Sequence, residues 1–207
     1  GKFLGRVTLR RALANSRNIA SINLITQIGP PLVVELARRA GIYSDLEPAP
    51  ALGLGASVVT PLEMVSAFGT FANGGIAVTP YTVDRAEDAT GKPLEAHQAS
   101  DKEAMAPQLA YLVTNLMKGV VQSGTDQYAK RLNRHLGGKT GTSNDNRDLW
   151  FIGFTPDLVA GAWMGYDDFS SLGRKDWTGG STVVPWWTEI MQEILKDYPK
   201  RDFPAPP

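Results

Sequence analysis

The sequence predicts an α+β fold, in which a mainly helical part precedes a small antiparallel sheet and a final helix. Apolar residues recur at helical spacing through most of the first part of the chain. Three short strand-like runs, separated by brief turns, follow from residue 137. Brief connections favour antiparallel strands, and helices segregated from such a sheet are typical of the α+β class.

Turn and capping residues divide the beginning of the chain into short helices. Thr8 is placed to cap a first helix, and Asn15-Ser16-Arg17-Asn18 forms a polar junction before a second apolar pattern. Gly29-Pro30-Pro31 ends that pattern and begins a third helix, for which Gly41 is expected as the C-terminal cap. The predicted helices are 9–14, 19–28 and 31–40.

Residues 44–59 contain many glycines and prolines and are expected to form a loop. Thr60-Pro61-Leu62-Glu63 then starts a helix, because it offers a capping threonine, a proline suited to the first helical position and the glutamate of a capping box. Asn73-Gly74-Gly75 ends this helix. Residues 76–96 resemble a solvent-facing hairpin with its turn at 88–91.

The second half of the chain carries the predicted sheet. Polar residues 97–106 are expected to form a surface connection to a helix that Pro107 opens, and an amphipathic helix at 184–198 is placed to cover the sheet. The strand-like runs are 137–143, 149–155 and 158–166. The predicted organisation has three parts: a helical lobe at about 1–75 and 107–130, a sheet and terminal helix at about 136–198, and a Pro-rich tail at 201–207.

Composition and charge exclude several classes of protein. The 207 residues include 21 basic and 21 acidic side chains, a balance that argues against a nucleic-acid-binding surface over the whole chain. The absence of cysteine excludes disulfides, thiol catalysis and thiolate metal sites. The two histidines, His97 and His135, lie in polar surroundings and give little support to a Ser-His-Asp triad. No cofactor or metal is expected.

Gly137-Gly138-Lys139-Thr140-Gly141-Thr142-Ser143 is the most informative segment of the sequence. Its glycines leave the backbone open to the close approach of a ligand. Lys139, Thr140 and Thr142 place one cation and two hydroxyls along a bare strand edge. Such an edge suits an extended peptide that ends in a carboxylate and binds as an added strand. The alternative is a polar edge strand without a ligand.

Ser16-Arg17-Asn18 is the second candidate segment. A Ser-x-Asn match is weak alone, since Ser21-Ile22-Asn23 matches too and either segment could simply cap a helix. The second match falls within the apolar helical pattern. Ser16 and Asn18, at the break between two helices, are therefore preferred.

Ser-x-Asn followed 123 residues later by Lys-Thr-Gly-Thr resembles the penicillin-binding transpeptidase family. The motifs of that family are Ser-x-x-Lys, a Ser-Asp-Asn type element and Lys-Thr-Gly. Further segments resemble its class A, bifunctional members, and with the motifs they cover nearly the whole chain: 7–14, 59–64, 71–75, 147–156 and 164–168. The resemblance implies part of a fold of the serine β-lactamase and penicillin-binding transpeptidase type.

The resemblance also implies a site of two catalytic and four substrate-binding residues: Ser16 and Lys139, and Asn18, Thr140, Gly141 and Thr142. Ser16 would relay a proton to or from the leaving amine, and Lys139 would raise the local positive potential and keep Ser16 poised. Asn18 would hydrogen-bond an amide of the substrate. Thr140 and Thr142 would bind the terminal carboxylate of a donor peptide or β-lactam. The N–H of Thr142 would supply half of an oxyanion hole.

One motif of the family is missing from the sequence, since no serine is followed by lysine three positions later. In the family this nucleophile and its general base precede the Ser-x-Asn element. We therefore expect the chain to be a truncated piece that does not catalyse acyl transfer alone. The resemblance implies a parent with a membrane anchor and a glycosyltransferase domain, working on the periplasmic face of the inner membrane.

The activity implied by the resemblance is D,D-transpeptidation, which cross-links peptidoglycan stem peptides through a serine acyl-enzyme. The implied partners are a donor stem ending in D-Ala-D-Ala, an amine acceptor and β-lactams. One alternative is a D,D-carboxypeptidase or β-lactamase-type hydrolase, in which water is the acceptor. Another is a pseudo-enzyme or sensor that binds stem peptides or β-lactams without acylation. A third is a structural wall-associated module.

Overall fold

The computed structural model describes residues 5–99 and 102–206. Its helices are α1 (Leu9–Ala14), α2 (Asn18–Ile28), α3 (Pro30–Arg39), α4 (Pro61–Ala72), α5 (Pro107–Ser123) and α6 (Val184–Ile194). Its strands are β1 (Arg85–Glu87), β2 (Pro93–Ala96), β3 (Gly137–Thr142), β4 (Asp148–Phe154) and β5 (Val159–Gly165). The α+β class is confirmed. Residues 1–4, 100–101 and 207, which the predicted lobe, connection and tail include, lie outside the described residues.

Strands β3, β4 and β5 form the predicted antiparallel sheet, with β4 in the middle. Lys139 pairs with Ile152, and Thr140 pairs with Phe151. Within the described ranges, no strand pairs with the outer edge of β3. The strand that carries the Lys-Thr-Gly motif therefore keeps an edge on which an extended chain can add.

Helix α6 covers one face of the sheet, as the sequence predicts. The ring of Trp187 packs edge-on against Phe151, with 4.7 Å between the centroids. A Cβ at Gly153 would lie 2.5 Å from the indole of Trp187, so this close packing needs glycine. The largest buried side chains of this core are Val121, Leu132, Leu136, Leu149, Phe151, Val183, Val184, Trp187, Met191 and Leu195.

Helix α4 begins with the predicted capping box. Thr60 Oγ1 accepts a hydrogen bond from the N–H of Glu63 at 3.3 Å, and the Glu63 carboxylate accepts one from the N–H of Thr60 at 2.9 Å. The same carboxylate accepts from the N–H groups of Tyr43 and Ser44 and from the Ser44 hydroxyl. These bonds, led by the one from the Ser44 hydroxyl, lower the pKa of Glu63 to about 2. One carboxylate thus fastens the loop after α3 to the start of α4.

The prediction of a surface connection at 97–106 is wrong for its final residues. Ala104 and Met105 are buried, and the N–H of Ala104 donates to the carbonyl of Gly75 at 2.9 Å. Gly75 has a φ of +94°, and a Cβ there would overlap the carbonyl oxygen of Met105. The connection therefore packs back against the end of α4, a contact between distant segments that local polarity does not reveal.

Helices α2 and α3 meet at an angle of 94°. Helix α3 ends at Arg39 with Ala40 as its C-cap, and the predicted cap, Gly41, follows one residue later with a φ of +107°. The predicted loop 44–59 contains a short 3-10 helix, Pro50–Leu54, which packs on α2.

No single helix of the described residues is long and apolar enough to cross a membrane, although α2 and α3 together reach that length and composition.

The first residues of the predicted Pro-rich tail pack against the rest of the domain. Phe203 is only 6% exposed, and its ring packs against Phe154 with 5.6 Å between the centroids. The Asp202 carboxylate accepts a hydrogen bond from Lys118 at 2.6 Å and lies 3.0 Å from Nδ1 of His135. These contacts join the end of the chain to α5 and to the sheet.

Candidate active site

All six of the predicted site residues line one open groove, which lies between the α1–α2 junction and β3. The groove has a volume of about 630 Å³. The six predicted residues that line it are Ser16, Asn18, Lys139, Thr140, Gly141 and Thr142. Ser21, the serine of the alternative Ser-x-Asn match, also lines the groove. The fold therefore brings together two motifs that lie far apart in the sequence.

Ser16 occupies the turn that joins α1 to α2. Its φ is +47°, a left-handed conformation that costs a non-glycine residue on the order of 1 kcal/mol or more. The N–H of Ser16 donates to the carbonyl of Leu13 at 3.0 Å, and the N–H of Arg17 donates to the carbonyl of Ala12 at 2.9 Å. The turn thus holds an exposed serine in a strained backbone conformation at the wall of the groove.

Lys139 reaches Ser16 from the opposite wall. Its Nζ donates a hydrogen bond to Ser16 Oγ and a second one to the carbonyl of Thr140 at 2.9 Å. Burial lowers the pKa of Lys139, while the negative charge of Asp126 acts in the opposite direction. A lysine with a lowered pKa releases a proton more readily than one in water. The Ser16 hydroxyl therefore lies beside a group that can supply or take up a proton.

Contacts with α5 and with the residues that follow it hold α1 in place relative to β3. The guanidinium of Arg10 donates to the backbone carbonyl and to the side-chain oxygen of Asn115 in α5, at 3.0 and 2.8 Å. The N–H of Thr125 donates to the carbonyl of Ala14 at 3.1 Å. Gly124 approaches α1 so closely that a Cβ would overlap the Ala14 carbonyl. Because α5 packs against β3, these contacts fix the Ser16 turn relative to Lys139.

A buried carboxylate lies behind the Lys-Thr-Gly strand, and sequence reasoning missed it. Asp126 is fully buried, and its Oδ1 accepts hydrogen bonds from the hydroxyls of Thr125 at 2.6 Å and Thr140 at 2.9 Å. Burial raises the pKa of Asp126, although these hydrogen bonds and the charge of Lys139 act against that effect. No spacing in the sequence marks Asp126, since only the fold places it beside Thr140.

The far rim of the groove comes from the turn that precedes α6. The N–H of Gly179 donates to Thr142 Oγ1 at 3.0 Å. Thr178 and Ser181 cap each other reciprocally, with both N–H to Oγ distances at 3.0 Å. The lining residues that lie outside the candidate segments of the sequence are Ala12, Leu13, Gly53, Leu54, Thr125, Thr178, Gly180 and Ser181. The Thr-x-x-Ser spacing of the rim signals a helix start, but not its proximity to Thr142.

Asn18 lines the groove, whereas the two histidines lie away from it. Asn18 is the first residue of α2, and its exposed side chain makes no hydrogen bond within the described part of the chain, which leaves it available to a ligand. His97 stacks on Tyr81 with 3.5 Å between the ring centroids, and His135 lies beside Asp202. Neither histidine lines the groove, so serine chemistry there cannot use a histidine base from the described residues.

The groove combines three chemical capacities. The free edge of β3 can pair with an extended backbone, and the hydroxyls and cation along it suit a terminal carboxylate. The exposed amide of Asn18 can bind a peptide group. Lys139 and Ser16 form a hydrogen-bonded pair through which a proton can move. Together these capacities fit acyl transfer on a peptide that ends in a carboxylate.

Comparison with known sequences relates the whole chain to one family. A family model described as the penicillin binding protein transpeptidase domain matches residues 2–170. Penicillin-binding protein 1A of Aquifex aeolicus is 38% identical over 206 residues, covering 100% of this chain and 28% of that protein. Penicillin-binding protein 1A of Neisseria lactamica is 38% identical over 214 residues, covering 100% of this chain and 27% of that protein. The chain thus spans less than a third of the length of these relatives.

Solved structures show the same relationship. The crystal structure of penicillin-binding protein 1A from Haemophilus influenzae has a TM-score of 0.88 and 27% identity, covering 97% of this chain and 36% of that one. Penicillin-binding protein A from Mycobacterium tuberculosis, in an imipenem acyl-enzyme complex, has a TM-score of 0.75 and 25% identity, covering 92% of this chain and 48% of that one. The predicted fold type is therefore confirmed.

Proposed function

The chain belongs to the penicillin-binding protein transpeptidase family, and on that basis we propose that it forms the C-terminal part of the transpeptidase domain of a bifunctional peptidoglycan synthase. The observation that carries the proposal is the hydrogen bond from Lys139 to Ser16. Both residues line a groove that also contains the free edge of β3. The reaction is the cross-linking of stem peptides through a serine acyl-enzyme.

The donor stem, which ends in D-Ala-D-Ala, lies along β3 as an added strand. Its terminal carboxylate binds to the hydroxyls of Thr140 and Thr142 and is attracted by the charge of Lys139. The side chain of Asn18 hydrogen-bonds an amide of the stem. The N–H of Thr142 supplies half of the oxyanion hole for the scissile carbonyl. β-Lactams occupy the same groove, because they carry a carboxylate beside a reactive amide.

Acylation is a balanced exchange of bonds and protons. A serine hydroxyl supplied from outside this chain attacks the carbonyl carbon, and the C–O bond forms as the C–N bond to the terminal D-Ala breaks. The proton of that serine reaches the leaving amine through the hydrogen-bonded pair of Ser16 and Lys139. The amine of a second stem then attacks the ester, forms the cross-link and returns a proton to the serine.

Residues 1–207 do not contain the nucleophile motif that this reaction requires. None of their serines is followed by lysine three positions later, and the relatives that the chain matches are more than three times its length. We propose that the Ser-x-x-Lys element belongs to the same protein, outside residues 1–207, and that the chain alone does not acylate. The whole protein would then be membrane-anchored, with this domain in the periplasm and a glycosyltransferase domain beside it.

Product analysis of the complete gene product tests the proposal. Incubated with a donor stem and an amine acceptor, it should release D-Ala and form a cross-linked dimer, and prior benzylpenicillin should block both. Release of D-Ala without a dimer would instead indicate a carboxypeptidase. Reversible binding without release of D-Ala would indicate a non-acylating sensor, and an absence of binding would leave only a structural module.

The coding sequence before Gly1 gives an independent test. A Ser-x-x-Lys element within the preceding few tens of residues, behind a glycosyltransferase domain and an anchor, supports the proposal. A start codon close to Gly1, without that element, contradicts it.

A further inference from the structure

Asp126 has no role in the reaction as proposed, yet it is the fully buried carboxylate directly behind a residue that binds the substrate carboxylate. A role for Asp126 in recognising that carboxylate rests on the proposed function of the groove. Asp126 Oδ1 accepts hydrogen bonds from Thr125 at 2.6 Å and from Thr140 at 2.9 Å. Its other oxygen, Oδ2, is buried and has no hydrogen-bond partner among the described residues.

The protonation state of Asp126 determines whether the Thr140 hydroxyl can donate a hydrogen bond to a ligand. Each threonine hydroxyl carries a single hydrogen, and an ionised carboxylate can only accept. The two hydroxyl oxygens also lie 3.1 Å apart, so either hydroxyl can donate to the other. When Asp126 is ionised, the single hydrogen of Thr140 is therefore used on Asp126 or on Thr125, and Thr140 offers the groove only lone pairs. A ligand carboxylate, which is also only an acceptor, then gains no hydrogen bond from Thr140.

Protonation of Asp126 reverses this arrangement. A protonated carboxyl can donate to Thr140 Oγ1 across the same 2.9 Å, and the hydrogen of Thr140 is then free to turn toward the groove. Thr142 differs, because its Oγ1 accepts from the N–H of Gly179 and no acceptor within the described ranges takes its hydrogen. The two threonines of the motif are thus not equivalent, and Asp126 is the reason.

Lys139 is the charged group that acts on Asp126, and the other polar groups on the carboxylate are the hydroxyls of Thr125 and Thr140 and the backbone N–H of Thr140. Burial raises the pKa of Asp126, whereas Lys139 and the two hydroxyls stabilise the ionised form. A second anion placed in the groove near Lys139 repels the ionised form of Asp126 and favours its protonation.

We propose that Asp126 is a positioning residue that takes up a proton when a carboxylate-bearing ligand enters the groove, and thereby turns the Thr140 hydroxyl from Asp126 to the ligand. The proton comes from solvent, and no covalent bond changes. Affinity for the carboxylate form of a ligand then rises as the pH falls, by up to about tenfold for each pH unit over the range in which one proton is taken up.

Calorimetric titration of the chain with benzylpenicillin, in buffers of different ionisation enthalpy between pH 5 and pH 8, measures the protons taken up per ligand. Wild type should take up a fraction of a proton per ligand at the pH values where Asp126 is ionised in the free chain and protonated in the complex. The methyl ester of benzylpenicillin should bind without uptake, because it brings no negative charge.

Asp126→Asn is the decisive variant. An asparagine amide can donate to Thr140 without any proton uptake. The variant should therefore bind benzylpenicillin with a flat pH profile, and more tightly than wild type at the pH values where wild type must take up a proton. Asp148→Asn is the matched control, since Asp148 accepts from the indole N–H of Trp163 and does not line the groove, and its proton uptake should equal that of wild type. If Asp126→Asn does not fold, Thr140→Val, which has no hydroxyl to turn toward the ligand, should take up less of a proton than wild type.

The outcomes separate the role of Asp126 from the proposed function. Equal proton uptake by wild type and Asp126→Asn would assign the proton to Lys139 and overturn the role of Asp126, while the proposed function would stand. Equal uptake with the acid and with its ester would overturn that role in the same way. A wild-type chain that binds neither ligand would contradict the proposed function, and the role of Asp126 would fail with it.

Discussion

The ammonium group of Lys139 and the hydroxyl of Ser16 are hydrogen-bonded across the groove, although 123 residues separate them in the sequence. The lysine stands on a strand of the sheet, and the serine stands on a strained turn between two helices. Neither residue belongs to the buried core. Changes at either one should therefore affect acyl transfer more than folding.

Ser16→Ala removes the acceptor of the Lys139 hydrogen bond and the proposed path of the proton. In the complete gene product, we expect the rate of acylation by benzylpenicillin to fall by about 10²-fold, the usual contribution of one proton-transfer group. Ser21→Ala is the matched control, because Ser21 also lines the groove and belongs to the alternative Ser-x-Asn match. A larger loss with Ser21→Ala than with Ser16→Ala would show that the wrong serine was chosen.

Ser16→Gly separates the backbone strain at position 16 from the role of the Ser16 hydroxyl in acyl transfer. Glycine adopts a φ of +47° without the steric cost that serine and alanine bear. Ser16→Gly should therefore be more stable than Ser16→Ala by about 1 kcal/mol in urea unfolding, while both lose acyl transfer. Equal stability of the two variants would mean that the turn is not strained.

Two variants of Lys139, to arginine and to methionine, distinguish its role as a positive charge from its role in proton transfer. Arginine keeps the positive charge but does not release a proton. Lys139→Arg should keep the KM for the donor stem within a few-fold while kcat falls by about 10²-fold. Lys139→Met should lose kcat and also raise KM, because the carboxylate then loses the cation on β3. A wild-type kcat in Lys139→Arg would exclude proton transfer by Lys139.

Helix caps and strand order could be predicted from local sequence, whereas the long-range contacts could not. The capping box of Thr60 and Glu63 needs only a spacing of three residues, and it is present. The three strands are predicted from short strand-like runs and brief turns, and they pair as expected. The packing of Ala104 against the end of α4 depends on a contact with Gly75, about thirty positions away, and local polarity pointed the other way.

In the groove, too, some residues could be predicted from the sequence and others depend on long-range packing. Ser16 and Lys139 could be chosen because each lies in a recognisable motif, and the structure brings them together. Asp126 lies in no motif, and its proximity to Thr140 arises from the packing of the α5 end behind β3. The rim around Gly179 likewise depends on how the turn before α6 meets Thr142.

Glu63 makes the stability of the chain sensitive to acid. Its pKa is lowered from 4.5 to about 2 in the folded state, so its stabilising contribution is complete above about pH 4.5 and is lost as the pH falls toward 2. Glu63→Gln should lower the thermal midpoint at pH 7, and the gap to wild type should narrow as the pH falls from 4.5 to 2.5. Glu95→Gln, on the exposed strand β2, should track wild type throughout. A gap independent of pH would refute this assignment.

Phe203 should contribute to stability although it follows the last helix. Its ring is buried against Phe154, so Phe203→Ala should lower the free energy of unfolding by about 3 kcal/mol in urea. Tyr198→Ala, at a more exposed aromatic position nearby, should lower the free energy of unfolding by only about 0.5 kcal/mol. If the two variants cost the same, the end of the chain is a free tail rather than part of the core.

Peptide mapping of the benzylpenicillin adduct in the complete gene product tests the proposed function most directly. Ser16 and Lys139 are proposed to lie beside the nucleophile without being the nucleophile. The penicilloyl group should therefore be found on a serine of a Ser-x-x-Lys element outside residues 1–207, and Lys139→Met should greatly reduce its yield. A penicilloyl group on Ser16, or on any other serine of this chain, or no adduct at all, would contradict the proposed function.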